Sequence, residues 1–134
     1  MSEKLPTLAI LGGTGDLGTG LARRWAQAGY EVIIGSRTVD KAEAAATDLR
    51  KVMEERGIKN INVRAADNLA AAQQADIIAM TVPFSHQTST LESVKLALQG
   101  KILIDVTVPL VPPKVMRVQL PPEGSAGQIA QALL

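Results

Sequence analysis

The chain has 134 residues, 46% hydrophobic and 20% charged, with a formal net charge of +1 and no cysteine. That length suits one compact domain, and the lack of cysteine excludes disulfides, thiolate catalysis and Cys-ligated metal. Aromatics are only 2% and no Lys/Arg block stands out, whereas nucleic-acid surfaces combine a basic stripe with aromatics that stack on bases, so no nucleic-acid partner is expected.

Residues 1–6 carry no long apolar stretch, so no secretory leader is expected. No apolar run approaches the roughly 18 residues of a membrane helix, and a cytoplasmic location with no membrane partner fits. Residues 7–11 (Thr-Leu-Ala-Ile-Leu) are an apolar run that stops at glycines and reads as a buried strand. Residues 16–28 show helical spacing through Leu17, Leu21, Trp25 and Ala28, and Gly29 ends that helix. Residues 31–35 form a second strand. Thr38 stands where it could cap a helix reaching Arg56, with Ala42, Ala45, Leu49 and Val52 on one face and Gly57 as its stop.

Residues 61–64 read as a short third strand and residues 68–74 as an Ala-rich helix. Residues 76–82 are a fourth strand, broken by Pro83. Residues 85–98 are helical up to Gly100, and residues 101–106 are a fifth strand. Strands alternating with helices over short connections imply a parallel sheet, because parallel neighbours need crossovers. The expected fold is therefore a Rossmann-type doubly wound α/β sheet in one domain over 1–134. Beyond residue 106 come Pro109, Pro112, Pro113, Pro121 and Pro122, which cannot serve a central ladder. Residues 125–134 form a last helix. A six-stranded dinucleotide fold would continue into another strand after it. Two readings stand: a fragment or shortened form of that fold, or a five-stranded variant with a docked final helix.

Between the first strand and first helix lies Gly12-Gly13-Thr14-Gly15-Asp16-Leu17-Gly18, which contains G-x-G-x-x-G at Gly13, Gly15 and Gly18. In this context Gly13 permits a tight turn, Gly15 lets backbone approach a diphosphate, and Gly18 allows the helix to lie close on the strand. The anion would meet backbone N–H groups at the positive end of the helix dipole, and Thr14 can add a hydroxyl. NAD-binding versions place a carboxylate at the end of the second strand. Here that place holds Gly35-Ser36-Arg37, with Lys41 a turn further on. A hydroxyl, a guanidinium and an ammonium suit a 2′-phosphate, and Gly35 is expected to leave room for it. NADP is thus the expected cofactor.

The fourth strand ends in Thr81-Val82-Pro83-Phe84-Ser85-His86. Val82 and Pro83 would offer a rigid apolar ledge for a nicotinamide ring. Phe84 adjoins that ledge. His86, the single histidine, is either a hydrogen-bond donor to a ligand or a residue that caps or packs the next helix. Asp105 is either a polar wall of the pocket or an orienter of its loop. No acid–base apparatus stands out. Tyr30 is followed four residues later by Ile34, so the Tyr-x-x-x-Lys pair of short-chain dehydrogenases is missing, although Gly12, Gly15 and Gly18 satisfy that family's looser glycine spacing. No metal-ligand cluster is expected.

The stretches Leu-Gly-Gly-Thr-Gly-Asp-Leu-Gly, Ile-Gly-Ser-Arg with Lys41-Ala42-Glu43, Thr-Val-Pro-Phe with His86, and Val-Pro-Leu-Val-Pro resemble the NADPH:F420 oxidoreductases over nearly the whole chain. The resemblance implies hydride transfer between NADP and the deazaflavin coenzyme F420, without an acid–base pair. It also implies a homodimer, closed by a smaller helical C-terminal portion that this chain is expected to lack. By the same resemblance Thr14, Gly15, Asp16 and Leu17 hold the diphosphate, and Ser36, Arg37 and Lys41 hold the 2′-phosphate. Val82 and Pro83 shelve the nicotinamide, while Phe84 and His86 face the deazaflavin. Two other functions remain open on the residues alone: a non-catalytic NADP-binding module or redox sensor, and an NADPH-dependent reductase of another acceptor.

Overall fold

β1 (Leu8–Leu11) and β2 (Val32–Ser36) are buried at every position, as expected of central strands covered on both faces. The computed structural model describes residues 4–110 and 117–134, so Pro112 and Pro113 of the proline-rich stretch lie outside the described residues. β3 (Val63–Asp67), β4 (Ile77–Met80) and β5 (Ile102–Asp105) complete a parallel sheet in the order β3-β2-β1-β4-β5. Among the described residues the helices are α1 (Asp16–Gln27), α2 (Val39–Glu55), α3 (Asn68–Gln74), α4 (Gln87–Leu98) and α5 (Ala126–Leu133), with a 3-10 turn at Phe84–His86 before α4. The Rossmann-type doubly wound sheet expected from the sequence is the fold observed.

Alternation along the strands divides the core into two layers. Ile10, Val32 and Ile34 meet Ala22 and Ala26 of α1 and Ala42, Ala46 and Met53 of α2. Ala9, Leu11, Ile33, Ile78 and Met80 meet α3, α4 and Ala130 of α5 on the other face. Gly29, Gly57 and Gly100 follow α1, α2 and α4 with positive φ, the usual helix stop.

The buried face of α1 differs from the one read from its large residues. Gly18, Ala22 and Ala26 are buried, whereas Leu17 is 52% exposed. A Cβ on Gly18 would lie 2.6 Å from the Gly13 Cα. The helix therefore sits so close to the β1 turn that only small side chains fit beneath it, and the larger ones flank the contact. α2 is rotated in the same sense: Ala46 and Met53 join Ala42 and Leu49 in the core, and Val52 is exposed. β3 runs two to three residues later than expected, because its pairing partner is β2, from Val32↔Val63 to Ser36↔Asp67.

Candidate cofactor site

β2 and β3 lie on one side of β1, and β4 and β5 on the other. At the carboxyl ends of the strands, where the winding reverses, an open sheet leaves a crevice for ligand. A cavity of about 760 Å³ opens there, within the range of small-molecule and cofactor sites. Thr14, Gly15, Asp16, Leu17 and Gly18 form its floor, Ser36, Arg37 and Lys41 one end, and Thr81, Val82, Pro83 and His86 the other. Twelve of the fourteen residues expected at the site thus share one wall.

The β1 turn is built by backbone proximity. Gly12, rather than Gly13, carries the left-handed conformation, with φ +66°, and a Cβ there would collide with Val82 Cγ1. Gly13 is buried beneath the turn and does not line the cavity. Its N–H donates to Gly35 O at 2.9 Å, and a Cβ on it would lie 2.8 Å from Ile10 O. Around Gly15 nothing lies within 4 Å of a Cβ position, so its open side faces the cleft. Gly15 is also the N-cap of α1, and no side chain caps that helix. The first-turn N–H groups of a helix have no intrahelical partner, so this end can take an anion.

The second donor set sits at the end of β2. Ser36 is 6% exposed, and its Oγ accepts the Thr38 N–H at 3.5 Å. Thr38 is the N-cap of α2 as expected, but its side chain makes no capping bond. Arg37 and Lys41 are exposed, and among the described residues the ion pair is Glu31 with Arg64, which leaves both cations without an acidic partner. Lys41 lies in the first turn of α2, where the helix dipole disfavours a cation. A bound anion would reverse that penalty. The room expected at Gly35 is not open to a ligand. A Cβ there would lie 2.9 Å from Asn68 Oδ1, so the missing side chain admits Asn68.

On the far side, the Thr81 hydroxyl donates to Leu11 O and Gly12 O, each at 3.1 Å, and so ties β4 to the turn. Pro83 and His86 both line the cleft, whereas half-buried Phe84 does not. In a 3-10 turn residues three apart eclipse. Pro83 and His86 therefore share a face, and Phe84 falls off it. The His86 side chain caps neither the turn nor α4. Asp105 stands outside the cleft and orients its loop: Oδ1 accepts the Thr107 N–H at 2.9 Å and Oδ2 the Gln87 side-chain N–H at 2.8 Å.

Sequence reasoning missed Gly12, Thr38, Asn68, Ser89 and Thr90 in the cleft wall. The helical step of three to four residues from His86 leads to Ser89 and Thr90. Asn68 was hidden by the early placement of β3, since the residue just past a strand's carboxyl end is the one that meets the crevice.

Comparison with known proteins places the chain in a family. Residues 7–109 match the family model described as NADP oxidoreductase, coenzyme F420-dependent. The F420-dependent NADP reductase of Methanothermobacter marburgensis is 52% identical over 103 residues, covering 77% of this chain and 45% of that protein. The enzyme of the same name from Methanocaldococcus jannaschii is 38% identical over 130 residues, covering 95% and 57%. A crystal structure from Arthrobacter sp. FB24, provisionally assigned as an F420-dependent NADP reductase, superposes with a TM-score of 0.74 at 28% identity, covering 96% of this chain and 58% of that one. The chain thus spans about half the length of the curated relatives it matches. Match and geometry together assign it: the chain belongs to the family of coenzyme F420-dependent NADP oxidoreductases.

Proposed function

We propose that the cleft holds NADP(H) and that the chain is the NADP-binding part of an oxidoreductase exchanging hydride with the deazaflavin coenzyme F420. One observation carries the reading: two anion-binding donor sets lie along a single groove. These are the uncapped end of α1 beside the glycine turn, and Ser36 with the unpaired cations Arg37 and Lys41. The names of the relatives, F420-dependent NADP reductases, support the choice of both coenzymes.

The donor chemistry suits the group. Backbone N–H groups from Thr14 to Gly18 and the Thr14 hydroxyl bind the diphosphate, with Gly13 supporting the turn from beneath. Ser36, Arg37 and Lys41 bind the 2′-phosphate, where a carboxylate would repel it. Thr81, Val82 and Pro83 form the ledge under the nicotinamide, and His86 reaches the same groove from the next turn. Phe84, off the cleft wall, serves from the deazaflavin side. The bound coenzyme supplies the transferable hydride. The residues of this chain orient the ring and exclude water from one face, which suffices where two ring systems need only to be held close and aligned. A cytoplasmic homodimer acting on small molecules, without nucleic acid, is part of the same reading.

The test mixes the protein with NADPH and oxidised F420 and follows deazaflavin absorbance. Exchange by the chain, or by the longest form in which it is expressed, is the expected result. Binding of NADPH without exchange by the longest form overturns the F420 assignment, and no binding of NADPH overturns the whole reading.

A further inference from the structure

Asn68 is the first residue of α3 and follows β3 directly. It is a polar side chain only 8% exposed, yet it lines the cleft. Its Oδ1 accepts the Gly12 N–H at 3.2 Å. That bond decides which end of the amide faces the turn. The Nδ2 group, which only donates, is left without a partner among the described residues, on a residue whose remaining free surface is the cleft.

Its place in the sheet narrows what the donor meets. Ser36 ends β2 and pairs with Asp67, which ends β3, so Asn68 is the first residue beyond the end of the strand beside Ser36. Its carbonyl end is wedged between Gly12 and Gly35. Asn68 therefore stands between the glycine turn and the Ser36–Arg37–Lys41 group, the two places assigned above to phosphates. The unit that joins those phosphates in a 2′-phosphorylated adenosine is the ribose. Its 3′-oxygen and the adjoining ester oxygen are acceptors, which match a donor-only group. A neutral amide also avoids placing a further negative charge between two anions.

We propose that Asn68 binds the adenosine ribose of the coenzyme through Nδ2, while its Oδ1 holds the turn that receives the diphosphate. The proposal rests on the reading of the cleft as an NADP site. Gly35 belongs to the same device, since any side chain there would displace the amide.

The experiment titrates 2′,5′-ADP, the phosphorylated adenosine fragment, into the unaltered chain and into Asn68→Asp. The aspartate keeps an acceptor for the Gly12 N–H but loses the donor. A loss of affinity of roughly tenfold or more is expected. Equal affinity overturns the proposal, because the aspartate offers the ribose no donor and sets a carboxylate between two phosphates; the amide resonance of the unaltered chain separates contact from charge. A second measurement needs no variant: the side-chain amide resonance of Asn68 in the unaltered chain shifts on adding 2′,5′-ADP and stays put on adding nicotinamide mononucleotide. An unmoved amide in a chain that binds 2′,5′-ADP overturns the ribose contact while the NADP reading stands. No binding of 2′,5′-ADP by the unaltered chain overturns both.

Discussion

Gln87, 1% exposed at the start of α4, donates its side-chain N–H to Asp105 Oδ2 at 2.8 Å, and the same nitrogen donates to Ala126 O at 2.8 Å. One buried amide thus joins α4, the end of β5 and the start of α5. Replacing it by methionine of similar shape would leave a carboxylate and a carbonyl short of a donor. Gln87→Met is expected to cost about 1–3 kcal/mol of stability, read by urea unfolding. Neither Gln87 nor Asp105 lines the cleft, so NADPH affinity should change by less than about twofold. A large loss of affinity at unchanged stability would contradict the structural role.

The glycines of the β1 turn separate into two kinds. Gly18→Ala sets a Cβ against the Gly13 backbone, which cannot yield as a flexible side chain can. It should lower stability by about 1–3 kcal/mol and push α1 off the sheet. Gly15→Ala meets nothing in the protein, and its φ of −82° is open to alanine. Thermal unfolding should be unchanged there, while NADPH affinity falls by roughly tenfold or more because the methyl occupies the approach to the diphosphate. Equal behaviour of the two variants in both measurements would refute this division.

Arg37→Ala should weaken NADPH far more than NADH. Loss of one charge-assisted phosphate contact is about 1.5–3 kcal/mol, or roughly ten- to a hundredfold in affinity. A fluorescence titration of both coenzymes checks it. Matching losses would place the adenosine end of the coenzyme elsewhere.

Because Arg37 and Lys41 are exposed, their attraction for a dianionic group is open to screening. Raising salt from about 0.05 to about 0.5 M should weaken NADPH binding distinctly more than NADH binding. Parallel salt dependences would argue that the two cations do not meet the 2′-phosphate.

The Arg64–Glu31 pair, with N to O at 2.7 Å and side chains 40% and 33% exposed, is a contrast. Arg64→Ala should cost no more than about 1 kcal/mol in chemical unfolding. A larger cost would mean that the pair supports the β2–β3 edge beyond its Coulomb attraction.

Much of this protein was legible in one dimension. Apolar runs ending at glycine or proline mark strands, and the glycine spacing after residue 11 marks the turn. The lack of a carboxylate at the end of β2, where Ser36 and Arg37 stand, is the signal on which the proposed preference for NADP rests. Each is a local signal, because a strand end, a turn and the residue beside it are neighbours in sequence as well as in space. Packing settled what spacing could not. The face of α1 that enters the core is the one with the smallest side chains, since the distance between helix and sheet, and not hydrophobicity, selects Gly18, Ala22 and Ala26. The register of β3 follows from its partner β2, and with it the position of Asn68. The eclipsed geometry of a 3-10 turn turns His86 into the cleft and Phe84 away from it. The empty space at Gly35 belongs to a side chain more than thirty residues away. Apart from that local turn, these outcomes depend on contacts between distant segments, so no window of residues read alone contains them.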